Sequence, residues 1–359
     1  FDVRDIRGEA MNQSYAETRR YWEPVVEITQ IKGDSETHPV LSPDDAFADF
    51  ETYPYYIQRE WTDYIPQVGD YVRSALKTGL ALQETMGVNP YQFGVIGSTD
   101  AHTALPSAEE DNFHGKMATD SIPSRKSGGW SDDARGTFGW GMSASGLAAV
   151  WATENTREAI LAAMRRREVY ATSGPRIAVR TYGGLNLPLT ALEAATFPDN
   201  IDAQAVPMGG EIVGAAPDDR FTLVVEAQAD PNGAYLDRVQ IVKGWVNASG
   251  EPEERVFDVA WAGSERQRAD GSIVPVGSSV DMATGMTSNT IGEPSLQVVW
   301  QDPEFNRNQS AFYYARVLQI PTARHSLLDK LALGDNALDT RRPDTIQERA
   351  YTSPIWYRP

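Results

Sequence analysis

Residues 93–103 read Phe-Gly-Val-Ile-Gly-Ser-Thr-Asp-Ala-His-Thr. An apolar run ends in Gly97-Ser98-Thr99, and Asp100-Ala101-His102 follows at once. This stretch constrains the fold most, because it combines a buried strand with a polar strand end. In extended backbone, residues i and i+2 point to the same side. Asp100 and His102 would then leave one strand end together and could reach one ion. Carboxylate plus imidazole suits Zn, Mn or Fe. The plainer alternative is a strand-end turn in which Asp100 caps and His102 is an ordinary polar residue.

The segment before this strand reads as a helix. Val68, Tyr71, Val72, Ala75, Leu76, Leu80 and Met86 follow the helical period. Gly87 and Asn89-Pro90 stop it. Upstream, Ser14-Tyr15-Ala16-Glu17 matches a capping box that opens a short helix to Trp22. Pro24 ends that helix, and Val25–Ile31 reads as a strand. Helix, strand, long loop, helix, strand is the rhythm of a parallel α/β unit. In such sheets and barrels the chemistry sits at the C-terminal ends of the strands.

The first strand ends in Lys32-Gly33-Asp34-Ser35-Glu36-Thr37-His38-Pro39. This cluster and Ser98–His102 are expected to face one pocket. Glu36 is a candidate metal ligand or catalytic base, with a loop cap as the plainer role. His38 precedes Pro39, which favours extended backbone there; it is a candidate ligand or a pocket-rim residue. Lys32 and Lys116 are candidates for holding an anionic leaving group. His114 lies in Asn112-Phe113-His114-Gly115-Lys116 and is a further substrate-binding candidate. Glu27 is either a supporting group behind a metal site or a strand carboxylate paired with Arg19 or Arg20. His325, far from the motif in sequence, is expected to be structural.

After about residue 168 the pattern changes. Asn155-Thr156-Arg157-Glu158 caps a helix to Arg166 or Arg167. Strand-like runs follow at 169–172, 177–180, 221–227, 237–242, 256–261, 296–300 and 312–320, separated by Gly, Pro, Asn and Asp. Many short alternating strands predict a β-sandwich. The expected fold is therefore α/β plus all-β, with a domain boundary between 168 and 169. Residues 103–146, with Trp130, Phe138 and Trp140 among Ser, Gly, Asp and Lys, read as a lid or pocket wall. Met142-Ser143-Ala144-Ser145-Gly146 is not a nucleophile elbow, since Gly-x-Ser-x-Gly is not satisfied.

Composition narrows the function classes. There is no cysteine, which excludes disulfides and thiolate ligands in this chain. The net charge of −18 argues against nucleic acid as a partner. It leaves room for an anionic small substrate, because bound cations reverse a local field. No apolar run approaches the length of a transmembrane span. Cytoplasm and periplasm both fit the absence of cysteine.

The Gly97–His102 stretch resembles the last metal motif of the PHP (polymerase and histidinol phosphatase) superfamily, whose domains are distorted β/α barrels. More narrowly, the chain resembles a bacterial family within it, domain-of-unknown-function family 3604. The matching pieces are 26–36, 89–102, 166–176, 206–210, 240–245 and 348–357, in the family's order. The resemblance implies a partial PHP-type barrel over 1–168 and a β-sandwich-like domain over 169–359. It also implies two or three divalent ions (Zn, Mn or Fe) and phosphoester hydrolysis by a metal-activated water. Asp100 and His102 would be ligands, and Glu36 would complete the cluster. Hydrolysis of a carboxyl or carbamate ester at the same site is the second reading. A non-catalytic binding or assembly module is the third.

One departure stands out. Family members begin with His-x-His on the first barrel strand. The four histidines here are His38, His102, His114 and His325, and no pair has that spacing. The chain is therefore expected to be the C-terminal part of a longer protein. An upstream segment or second chain would carry the missing half of the barrel. Homo-oligomer formation is also open.

Overall fold

Asn12 opens the first helix, α1 (Gln13–Trp22), by accepting the Tyr15 N–H on its side chain at 3.0 Å. The capping box expected at Ser14 lies inside the helix instead, because asparagine two residues earlier is as good a cap. In the computed structural model, residues 1–53, 56, 64–105, 108–127, 139–144, 146–201, 203–334 and 342–359 are described. Pro24 follows α1, and β1 (Val25–Gln30) turns tightly into β2 (Gly33–Asp34). The helix expected over 68–86 is broken at Tyr71, which is extended. A 3-10 turn (Val68–Asp70) precedes it, and α2 (Val72–Met86) follows. Gly87 ends α2 in the left-handed region, where glycine meets no steric penalty. β3 (Gly94–Gly97) then runs parallel to β1, with Val25 opposite Gly94. The two strands expected to share a sheet do so, in the order β2-β1-β3.

Three elements link this unit to the rest: α3 (Pro123–Ser127), β4 (Leu147–Val150) and α4 (Arg157–Arg166). Thr156 caps α4 through Ala159 N–H. The remaining strands are β5 (Val169–Thr172), β6 (Ala178–Leu185), β7 (Ala205–Pro207), β8 (Glu211–Val213), β9 (Phe221–Gln228) and β10 (Leu236–Val246). They continue with β11 (Pro252–Trp261), β12 (Ser295–Gln301), β13 (Ala311–Gln319) and β14 (Thr322–Ala323). After α5 (His325–Leu333) come β15 (Thr345–Ile346), β16 (Arg349–Thr352) and β17 (Ile355–Arg358).

The largest sheet runs β11-β10-β13-β16-β5-β4, with β17 beside β13 and β8 beside β17. A second sheet runs β12-β9-β6-β7 and is antiparallel throughout. Their facing residues form one core: Val179, Leu223 and Val225 from one sheet meet Val239, Ile241 and Val317 from the other. Phe221 stacks on Tyr313 with ring centroids 4.1 Å apart. Each such fully buried side chain contributes about 1.5–3 kcal/mol of transfer free energy.

The fold is thus mixed, with antiparallel sheets dominating. Among the described residues no sheet closes into a barrel. Among the described residues of 1–168, the strands are β1, β2 and β3 in the small sheet and β4 in the large one. Beside β3, Val95 N–H donates to Ser353 Oγ at 3.0 Å, so the start of the β16–β17 connection stands where a further strand would pair. Helix α2 packs Val72, Ala75, Leu76 and Leu80 into a core that contains both Ile28 and Val95 of the small sheet and Val242, Phe312, Tyr314 and Trp356 of the large one. The boundary expected at 168–169 falls between β4 and β5, which pair from Leu147–Thr172 to Val150–Val169.

Gly97 shows how closely the sheets approach. A Cβ there would lie 2.8 Å from the Leu147 carbonyl oxygen and 2.9 Å from that of Thr172. Gly97→Ala is expected to destabilise the chain by about 1–3 kcal/mol through overpacking. Urea unfolding would read this, and an unchanged midpoint would refute the close approach.

Candidate functional site

β1 and β3 end side by side. Ser98 N–H donates to the Thr29 carbonyl and Ile31 N–H to that of Thr99, each at 3.1 Å. The strand stops at Gly97, and Asp100 turns the chain in the left-handed region with φ of 47°. Aspartate is among the few non-glycine residues that tolerate this conformation, which costs other L-residues about 1–2 kcal/mol. Asp100 and His102 therefore meet through a turn, where extended backbone was expected. His102 N–H is held by the Lys116 carbonyl at 2.8 Å.

The side chains converge. Asp100 Oδ1 lies 3.4 Å from His102 Nε2, and the two side chains are 33% and 54% exposed. Lys116 Nζ donates to Asp100 Oδ2 at 3.1 Å and also to the Asp100 carbonyl. Lys32 Nζ donates to the same Oδ2. Burial lowers both ammonium pKa values, and the neighbouring Lys116 charge lowers that of Lys32 further. Glu27 attracts both ammoniums and accepts the Ser98 hydroxyl. Arg19 pairs with Glu23 at 2.7 Å, not with Glu27. Lys32, Asp100, His102 and Lys116 thus form one cluster at the strand ends.

Glu36 is elsewhere. It is fully buried, and both its oxygens are engaged: Oε1 by Arg73 and by the Tyr314 hydroxyl at 2.5 Å, Oε2 by Arg316 at 2.9 Å. Asp45 joins the same pair of arginines, at 2.8 Å to Arg73 and 2.7 Å to Arg316. Burial pushes the Glu36 carboxyl up, but the two guanidiniums prevail and hold it below the usual range. The expected trio of Asp100, His102 and Glu36 is not assembled. Among the described residues no group of three or more His, Asp or Glu is placed to hold a metal ion. Arg73 N–H also donates to the Glu36 carbonyl at 2.9 Å, which holds this loop against the start of α2.

The other candidates are dispersed. His38 Nδ1 accepts the Val40 N–H at 3.1 Å, and its ring lies 5.7 Å from that of Tyr71. Burial lowers its pKa. His114 Nε2 lies 3.0 Å from Asn112 Oδ1. His325 is fully buried, with Nε2 2.8 Å from the Met142 carbonyl and its ring 4.3 Å from Phe113.

Part of the 103–146 segment backs the cluster. Phe113, Met142 and Ala144 form a small core with Ile31, against which Ala101 packs. Trp130 and Phe138 lie outside the described residues. Arg324 ties this wall down through the carbonyls of Trp140 and Met142 and the carboxylate of Glu51. Glu110 accepts the His325 N–H at 2.5 Å on one oxygen, while the other is buried with no hydrogen bond of good geometry among the described residues. Burial pushes the Glu110 carboxyl up to about 7, against the pull of Arg324. Nothing in the sequence marks Glu51, Glu110 or Arg324, because their partners are distant in the chain.

A pH effect follows from Glu110. Its folded pKa lies above its unfolded value, so folding takes up a proton. That contribution is full below 4.5 and is lost as pH rises through about 7. Glu110→Gln is expected to shrink the fall in stability between pH 5 and pH 8 by about 1–2 kcal/mol. Urea titrations at both pH values would show it; identical pH dependence in the variant would contradict it.

A family model described as protein of unknown function (DUF3604) matches residues 1–359, and the chain belongs to that family. Comparison with curated proteins and with solved structures gave no match. Among the described residues no helix is long and apolar enough to cross a membrane.

Proposed function

We propose that this DUF3604 chain supplies two ligands and two lysines to a metal-dependent hydrolase site of the PHP type, acting first on phosphoesters. The observation that carries this is the 3.4 Å gap between Asp100 Oδ1 and His102 Nε2, at the C-terminal ends of two parallel strands. Two ligands on one tetrahedral ion, each about 2.1 Å from it, stand about 3.4 Å apart. The donor pair therefore fits an ion such as Zn or Mn in type and in spacing. A divalent ion there lowers the pKa of a bound water and offsets charge on the transferring group.

The chain's own residues do the rest. Asp100 and His102 hold the ion, and the turn at Asp100 aims both donors to one side. Lys32 and Lys116 balance the charges of Asp100 and Glu27, so a bound divalent ion would leave the strand ends net positive in a chain of net charge −18 and favour an anionic ester over a neutral one. Glu36 serves the fold and takes no part in the chemistry. Two protein ligands are fewer than the three or more a catalytic ion usually takes. An upstream segment or second chain carrying His-x-His supplies the others. Carboxyl or carbamate esters are the second reading, favoured by the same donor pair, since the water activation an ion would supply there suits a carbonyl centre as well.

The test is a substrate panel with the full-length protein, before and after chelation. Metal-dependent turnover of p-nitrophenyl phosphate or bis(p-nitrophenyl) phosphate above p-nitrophenyl acetate is expected. Preference for the acetate would favour the second reading. Turnover indifferent to chelation would remove the metal-site reading.

A further inference from the structure

Lys32 and Lys116 reach the same carboxylate in different ways. Lys116 grips Asp100 twice, through the backbone carbonyl and through Oδ2, and its own carbonyl receives the His102 N–H. It fixes the left-handed turn that sets the two donors side by side. Lys32 touches Asp100 through Oδ2 alone. It has no comparable hold on the backbone of the turn. Glu27, on β1, accepts the Ser98 hydroxyl and attracts both ammoniums, so a second carboxylate lies near a released Lys32.

An ammonium and a divalent cation compete for one carboxylate, because both are drawn to the same negative charge and repel each other at short range. From this contact pattern we infer that Lys32 is a tethered counter-ion for Asp100, which a divalent ion must displace toward Glu27 on binding. Lys116 is a positioning residue that stays in place. The inference rests on the proposed metal-site reading and adds to it a control on loading. Lys32 weakens the site for every cation, so only an ion that gains more from Asp100 and His102 than the ammonium loses will stay. This sets a threshold of affinity at the strand ends, separate from the ligands themselves.

The two lysines then predict opposite signs. Calorimetric titration of the full-length protein, including the proposed His-x-His segment, with ZnCl2 alone at fixed pH and salt would compare wild type with Lys32→Met, Lys32→Gln, Lys116→Met and Asp100→Asn. Circular dichroism would check that each variant is folded. Both Lys32 variants are expected to bind zinc at least about tenfold tighter than wild type. Lys116→Met is expected to bind more weakly, and Asp100→Asn to lose binding. If the Lys32 variants match wild type or bind more weakly while Asp100→Asn loses zinc, the counter-ion role is overturned and the metal-site reading stands. If neither wild type nor the Lys32 variants bind zinc, both fail together. The pair of Lys32 substitutions guards against one of them perturbing the fold, since Gln keeps hydrogen-bonding capacity and Met keeps length.

Discussion

Arg316→Ala is expected to destabilise the chain by about 3–5 kcal/mol, the usual effect of breaking a buried ion pair by removing one partner. Arg316 is fully buried on β13. Its guanidinium donates to Glu36 Oε2, to both oxygens of Asp45 and to the Gln240 side-chain oxygen, all between 2.7 and 2.9 Å. Without it, Glu36 and Asp45 share only Arg73, and a buried carboxylate is left under-compensated. Desolvation makes that far worse than losing a surface pair, which is worth about 0–1 kcal/mol. Urea unfolding at neutral pH would measure the loss. A drop below about 1 kcal/mol would mean that water reaches the network and that Glu36 is less committed to the fold than its contacts indicate. Arg166→Ala, which breaks an exposed pair with Glu168, is the matched control and should stay within about 0.5 kcal/mol of wild type.

The largest functional effects are expected at the strand ends. In protein that includes the upstream segment, Asp100→Asn and His102→Ala should each lose bound transition metal and esterase activity together, by about 100-fold or more. Groups that merely support a ligand already cost about 10–100-fold. The fold should survive, because asparagine tolerates the left-handed backbone at position 100 and His102 is exposed. His325→Ala is a poor control: the ring is fully buried against Phe113 and bonded to Met142, so its removal leaves a cavity behind the site. Arg166→Ala serves here too. Elemental analysis beside activity decides the matter, and unchanged metal in both variants would remove Asp100 and His102 from the ligand set.

Much of the chain was legible because its elements announce themselves locally. Val25–Gln30, α2 after Tyr71, α4 with its Thr156 cap and the long strands β9 to β13 all carry a period or a stop signal within a few residues. The missed elements carry none. β4 is four residues of Leu-Ala-Ala-Val after a Ser- and Gly-rich stretch, and β16 and β17 are four residues each on either side of Ser353-Pro354. Helix α5 follows a two-residue strand so closely that its start merges with the preceding run.

At the site, the pairing of Asp100 with His102 was readable from two residues in one motif. Lys32 and Lys116 were marked as substrate candidates, and the structure puts both on Asp100. The fate of Glu36 was not readable. Its partners Arg73, Tyr314 and Arg316 lie 37, 278 and 280 positions away in sequence. A glutamate in a loop after a strand looks the same whether it faces solvent, a metal or two arginines. Only the tertiary fold distinguishes them.

The pairing of β4 with β5 bears on how such a protein can be rearranged during descent. Shuffling of modules works where few contacts cross the seam. Here the seam runs through a sheet ladder, and the same helix covers Phe312, Tyr314 and Trp356 on one side of it and Ile28 and Val95 on the other. A piece starting at Val169 would present β5 as a bare edge and expose large aromatic residues, both invitations to aggregate. The strand-end cluster and the β-rich part therefore depend on each other to fold, and a change that separates them costs both.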